Sequence, residues 1–132
     1  MKLVADANVL FSIAREGSVA SLIIAKYRLL LYAPSFSLDE IAGHNKEFVS
    51  NSGLRTFRQA EQRLLKMVHF VRLSEFRNEV KEAAGKISDP KDIVYVALAG
   101  KIGCPVWSND RHLKEQSEVP VFTTKELIEL LA

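Results

Sequence analysis

Cysteine is all but missing. Cys104 is the single one among 132 residues, which excludes an intrachain disulfide and any cysteine-cluster metal site. Its apolar neighbours suit a small core residue better than a reactive thiol, and a reducing compartment fits. Long apolar runs are missing too. The most apolar region, Val19 to Ala33, is broken by Lys26 and Arg28, and the run after Met1-Lys2 is cut by Asp6 before it reaches signal-peptide length. These absences predict an unexported, cytoplasmic protein with no membrane contact. Nor does one sign of charge dominate: 18 basic against 16 acidic residues leave +2, so only local clustering could call for a nucleic-acid partner. Repeats, linkers and low-complexity segments are absent. A chain of 132 residues suits one domain spanning 1–132, able to bury about two thirds of its unfolded surface.

What is present is organised around Asp89 to Asp110, DPKDIVYVALAGKIGCPVWSND. Asp89 followed by Pro90 reads as an N-cap with proline at the first helical position. Ile93 to Ala99 is apolar or aromatic throughout, and the cap, the length and Gly103 before Pro105 make it a buried helix rather than a strand. Pro105-Val106-Trp107 reads as a short buried strand, with Ser108-Asn109-Asp110 at its carboxyl end.

From the start of the chain, Lys2 to Ala5 reads as a strand ended by Asp6, and Val9 to Ile13 as a first helix. Ser18 caps a second helix over Val19 to Tyr27, and Leu29 to Tyr32 forms a second strand stopped by Pro34. One helix is expected from about Ser35 or Ser37 to Val49, with Glu40, His44 and Glu47 on one side of it. Asn51-Ser52-Gly53 is the clearest turn, and Leu54 to Val68 an amphipathic helix that closes a helical hairpin with the one before it. His69 to Leu73 then reads as a third strand, Ser74 as the cap of a helix running to about Lys86, Val119 to Phe122 as a fifth strand, and Thr123 or Thr124 as the cap of a last helix ending at Leu131. Strands alternating with helices imply a three-layer α/β/α sandwich around a central, mostly parallel sheet of four to five short strands. Ligands of such sheets bind beyond the carboxyl ends of the strands, where Asp6, Asp110 and the helix start at Asp92 all project.

Each acid alone has a structural explanation. Asp6 can cap the first helix, Ser37 with Glu40 matches a capping box, Asp89 and Asp92 complement a helix dipole, and Asp110 can cap Arg111 to Lys114. Their convergence on one sheet edge is what calls for a cation, since carboxylates brought together repel. With His44, His69 and His112 scattered in sequence, a site of carboxylates alone predicts Mg²⁺ or Mn²⁺ rather than zinc. Such ions suit phosphodiester hydrolysis.

At this point the chain resembles a PIN domain, the small nuclease fold of many prokaryotic toxins and of RNA-processing enzymes. The resemblance covers nearly the whole chain through four motifs in the family's order: LVADANVLF with Asp6, PSFSLDEI with Glu40, DPKDIVYVALA with Asp92, and SND with Asp110. It implies that Asp6, Glu40, Asp92 and Asp110 form an acidic quartet around Mg²⁺ or Mn²⁺, with Asn8 and Ser108 holding them from behind and Asp89 left as a cap. It also implies cleavage of single-stranded RNA to 5′-phosphate and 3′-hydroxyl ends, a homodimer, and, in the toxins, an antitoxin partner.

Metal-dependent endoribonuclease is the reading these residues favour, with Asp6, Asp92 and Asp110 as principal ligands and Glu40 as ligand or orienter of the attacking water. The alternatives are a non-catalytic module that binds RNA or protein, and an aspartate-based phosphotransfer domain. The second is disfavoured because Asn8, not an acid, lies two positions after Asp6. One basic cluster remains. At about 100° per residue, Phe57, Ala60, Leu64, Met67 and Val68 share an apolar face, while Arg55, Arg58, Gln59, Gln62, Arg63 and Lys66 share the opposite one with no acid. Arg55, Arg58, Arg63 and Lys66 are therefore expected to guide an RNA backbone toward the site, on the hairpin expected to carry Glu40.

Overall fold

A computed structural model describes residues 1–132. Its frame is a five-stranded, all-parallel sheet in the order β3-β2-β1-β4-β5: β1 Lys2–Ala5, β2 Leu30–Pro34, β3 Val68–Val71, β4 Val106–Trp107 and β5 Val121–Phe122. The first strand lies in the middle, so the winding reverses between β1 and β4, where Val4 pairs with Val106 and Ala5 with Trp107. That reversal opens a crevice at the carboxyl ends of two neighbouring strands, the ones followed by Asp6 and by Ser108.

Alternation along the strands sends side chains to two cores. Leu3, Ala5, Leu31, Ala33 and Trp107 face one, with the helices α1 Ala7–Ile13, α2 Val19–Tyr27, α3 Phe36–Gly43, α4 Asn45–Ser52, α5 Phe57–Met67 and α8 Thr124–Leu131. Val4, Val71 and Val106 face the other, under α6 Arg77–Ala84 and α7 Pro90–Ile102. These are the three layers the sequence predicts. Helix α7 runs as read: Asp89 Oδ1 accepts from the Lys91 amide at 2.9 Å, and Gly103 closes it in the left-handed region at φ 79°. Tyr95 through Ala99 are all buried. No helix is long and apolar enough to cross a membrane.

Several boundaries differ from the sequence reading. The helix expected from Ser35 to Val49 is two helices, broken at His44 (φ −117°, ψ 37°) just after Gly43. Ile41 and Phe48, on either side, are both buried, so apolar periodicity runs straight through the break and conceals it. Glu40 therefore sits on α3, outside the α4–α5 hairpin. Ser37 caps nothing: it is fully buried inside α3, and its hydroxyl lies 3.0 Å from the Tyr95 hydroxyl. The third strand ends at Val71, and a 3₁₀ turn over Leu73–Glu75 replaces the start of the helix assigned to Ser74. Phe76, 1% exposed, fills the core at that point and holds the chain off the helical path at φ −139°.

Candidate active site

A cleft of about 480 Å³ opens at the winding reversal, and Asp6, Glu40, Asp92 and Asp110 all line it. Asp6 leaves β1 and is 6% exposed. Its Oδ1 caps α1, accepting from the Val9 amide at 2.9 Å, while its Oδ2 accepts a short hydrogen bond from the Ser108 hydroxyl. The cap is thus real, and it also fixes the carboxylate at the mouth of the crevice. Ser108 is fully buried, and its oxygen in turn accepts from the Asp110 amide at 3.0 Å. One hydroxyl therefore ties the exits of β1 and β4 together and sets where Asp110 stands. Asp110 Oδ1 accepts from the His112 amide at 2.9 Å, turning the chain into the 3₁₀ turn Leu113–Glu115.

Asp92 comes from the first turn of α7 and Glu40 from α3. Glu40 Oε1 is buried with no hydrogen-bond partner, an acceptor left waiting for something the protein itself does not provide. Asn8, expected behind the acids, is instead exposed on the cleft wall, which His44 and Glu47 also line.

The electrostatics are those of crowded acids. Burial raises the Asp6 carboxyl, with the Asp110 charge adding and the Ser108 bond opposing. Burial likewise raises Glu40, where Lys91 opposes and Asp6 adds, and Asp92, where His112 opposes and Asp89 and Asp110 add. These carboxylates feel one another, and a hard divalent cation with an oxygen-rich shell is what would relieve them. The orphaned Glu40 oxygen and the mutual repulsion both fit a divalent cation.

The site is not made of carboxylates alone, however. His112 Nδ1 lies 2.8 Å from Asp92 Oδ2 and 3.9 Å from Asp89 Oδ2, and ligand atoms of Asp89, Asp92 and His112 fall within 4.8 Å of one another. The reading of the histidines as scattered is corrected at this point, and Asp89 borders the cleft as well as capping α7. The bond to Asp92 raises the His112 imidazole. Lys91, Tyr95 and Phe11 complete walls that sequence reasoning missed. The signal for Tyr95 and Lys91 was available, since each is within one helical turn of Asp92 on α7. None existed for His112, whose partner acids lie about twenty residues away in sequence. Arg55, Arg58, Arg63 and Lys66 do not line this cleft.

A family model described as the PIN domain matches residues 4–131. Among solved structures, VapBC2 from Rickettsia felis, bound to a DNA fragment from its promoter, superposes with a TM-score of 0.61 at 14% identity, covering 93% of this chain and 98% of that one. PAE2754 from Pyrobaculum aerophilum gives 0.61 at 17% identity, over 99% of this chain and 89% of that one. FitAcB from Neisseria gonorrhoeae gives 0.63 at 16% identity, over 95% and 99%. At such identities the likeness is one of fold. No curated protein matches the sequence.

Proposed function

The chain belongs to the PIN-domain family, and from that premise we propose that it is a metal-dependent endoribonuclease cutting single-stranded RNA at the cleft of Asp6, Glu40, Asp92 and Asp110. The observation that carries this reading is the convergence of four acids from four separate elements on the winding reversal, one with a buried oxygen that has no partner. A carboxylate cluster of that kind is costly unless a cation occupies it.

A divalent ion held there would lower the pKa of a bound water and offset charge gathering on the scissile phosphate. Asp6, Asp92 and Asp110 are the side chains to hold it. Asp6 is fixed at both oxygens, by α1's first turn and by Ser108, yet each oxygen keeps a second lone pair for a ligand. Ser108 also sets Asp110, so a single buried hydroxyl positions two ligands. Glu40, whose Oε1 has no partner within the fold, would complete the site as a further ligand or by orienting the attacking water. Asn8, exposed at the cleft wall, is available to the substrate.

The resemblance to prokaryotic toxins, with the fold likeness to VapBC2 and FitAcB, supports a cytoplasmic homodimer that pairs with an antitoxin protein. A non-catalytic RNA-binding module is the alternative, and the presence of all four acids disfavours it. The test is incubation with single-stranded RNA, duplex RNA and single-stranded DNA in Mg²⁺ or Mn²⁺. Cleavage restricted to single-stranded RNA, leaving 5′-phosphate and 3′-hydroxyl ends, is the expected result. Cyclic phosphate ends would rule out attack by a metal-bound water.

A further inference from the structure

Beside the cleft lies a second hollow of about 340 Å³, built by Arg15, Arg63 and the turn from Ser50 to Leu54. Two observations set it apart from an ordinary surface dent. Arg63 Nε is buried with no hydrogen-bond partner, and neither Arg15 nor Arg63 takes part in any of the molecule's ion pairs. A buried guanidinium donor left unpaired is costly, and a bidentate oxyanion is the ligand whose geometry it matches. Glu16 is the one acid in the lining, so two guanidiniums outweigh it.

The hollow and the cleft share a wall. Asn8 and Phe11 line the cleft and Arg15 lines the hollow, at helical spacing along and just beyond α1. On α4, Glu47 faces the cleft while Ser50 and Asn51 face the hollow. Asn51 Nδ2 donates to the Phe11 carbonyl at 2.7 Å, which clamps the two walls together. Phe11 of the cleft wall is thus in direct contact with Asn51 of the hollow.

Building on the nuclease reading, we propose that Arg15 and Arg63 form a phosphate subsite that grips the RNA backbone beside the cleavage site. The helix expected from Leu54 begins only at Phe57, which leaves Arg55 outside α5; of the basic residues expected to guide RNA, the specific contact falls to Arg63, paired with Arg15 from beyond α1. The strand is thereby anchored by two guanidiniums on one side of a cleft whose own acids repel phosphate.

The experiment is binding of a labelled short single-stranded RNA, in EDTA so that nothing is cut, across a series of salt concentrations. The paired substitution Arg15→Gln with Arg63→Gln is expected to weaken binding by roughly tenfold or more and to flatten the log–log salt slope by about 0.7 for each phosphate that is no longer neutralised. Arg63→Lys keeps the charge and loses the fork, so it is expected to hold the slope while still losing affinity. Since Arg63 Nε has no partner within the fold, melting temperatures should hold, and its Nε–H resonance should shift when RNA is added to the wild-type protein. Unchanged affinity and slope in the paired variant overturn the subsite and leave the nuclease reading standing. A shift at Arg63 on RNA addition, with no cleavage once metal is supplied, keeps the subsite and removes that reading. A resonance that answers to an acidic peptide and not to RNA overturns the subsite in favour of a protein partner.

Discussion

Asp6 joins structure to chemistry within one side chain, and its surroundings decide what substitutions do. Ser108→Ala removes the hydroxyl that holds both Asp6 and Asp110, and loss of such a supporting partner is expected to lower metal affinity or activity by about 10- to 100-fold. Titration of Mn²⁺ into wild-type and variant protein checks it. Asp6→Asn should cost more activity than Ser108→Ala while the fold survives, because an amide keeps the cap on α1 and relieves the repulsion from Asp110.

The pH dependence has a definite sign. Asp6 and Asp92 are raised above 3.8, and Glu40 above 4.5, mainly by burial. A raised carboxyl favours its protonated form in the fold, so its contribution to stability is present at low pH and is lost as pH climbs from the ordinary value through the folded one. His112, raised above 6.5 by its bond to Asp92, contributes in the same sense: its stabilisation is full below 6.5 and is lost as pH rises through the folded value. Metal-free protein should therefore lose this site's contribution as pH rises through the raised folded values, and Mn²⁺ should raise the melting temperature more at about pH 8 than at about pH 5. Melting curves in EDTA and in Mn²⁺ at the two pH values decide it. A metal effect larger at about pH 5 than at about pH 8 would mean that these carboxyls do not bind the ion.

At the scale of elements, α7 separates a cap from a ligand. Asp89→Ala removes the bond to the Lys91 amide and should cost about 1 kcal/mol. Asp89→Asn keeps an N-cap and should leave both stability and cleavage close to wild type, whereas Asp92→Asn should remove cleavage. Denaturant titration and an RNA cleavage assay together read the contrast. Loss of cleavage in Asp89→Asn would move Asp89 from cap to ligand.

Elements also mark what was legible in the sequence. Helix α7 was readable at both ends because Asp89-Pro90 and Gly103 act locally, and Asp6 was readable because a short apolar strand stops at it. The break at His44 was not, since Ile41 and Phe48 keep one apolar periodicity across it. Ser37 with Glu40 had the spacing of a capping box, but the partner that claims Ser37 is Tyr95, far along the chain. His112 shares the limitation: its meeting with Asp92 and Asp89 depends on how β4 emerges beside the start of α7, a long-range outcome of strand order. Local capping and periodicity are written in sequence windows, whereas contacts made by the winding of the sheet are not.

At the scale of the whole molecule, the sheet order brings acids from β1, α3, α7 and the end of β4 to one edge, and the same winding leaves apolar side chains exposed elsewhere. Val19 and Leu22 on α2 are 58% and 59% exposed, and Ile128, on the neighbouring α8, is 37% exposed. An apolar surface of this kind accords with the proposed homodimer. Light scattering should give about twice 14.8 kDa, and Leu22→Lys should shift the population to monomer. A wild-type monomer at every accessible concentration would remove the dimer without touching the cleft.

The cleft of Asp6, Glu40, Asp92 and Asp110 is proposed to bind the metal that cuts RNA, with the three aspartates as its principal ligands. The most direct measurement follows cleavage of a labelled single-stranded RNA by wild-type protein and by Asp92→Asn as Mn²⁺ is titrated in, with excess EDTA as the starting point. Cleavage that is absent in EDTA, rises saturably with Mn²⁺ in the wild type and stays absent in Asp92→Asn at every concentration is the predicted result. Wild-type cleavage undiminished in excess EDTA, or an Asp92→Asn curve that overlays the wild type, would contradict it.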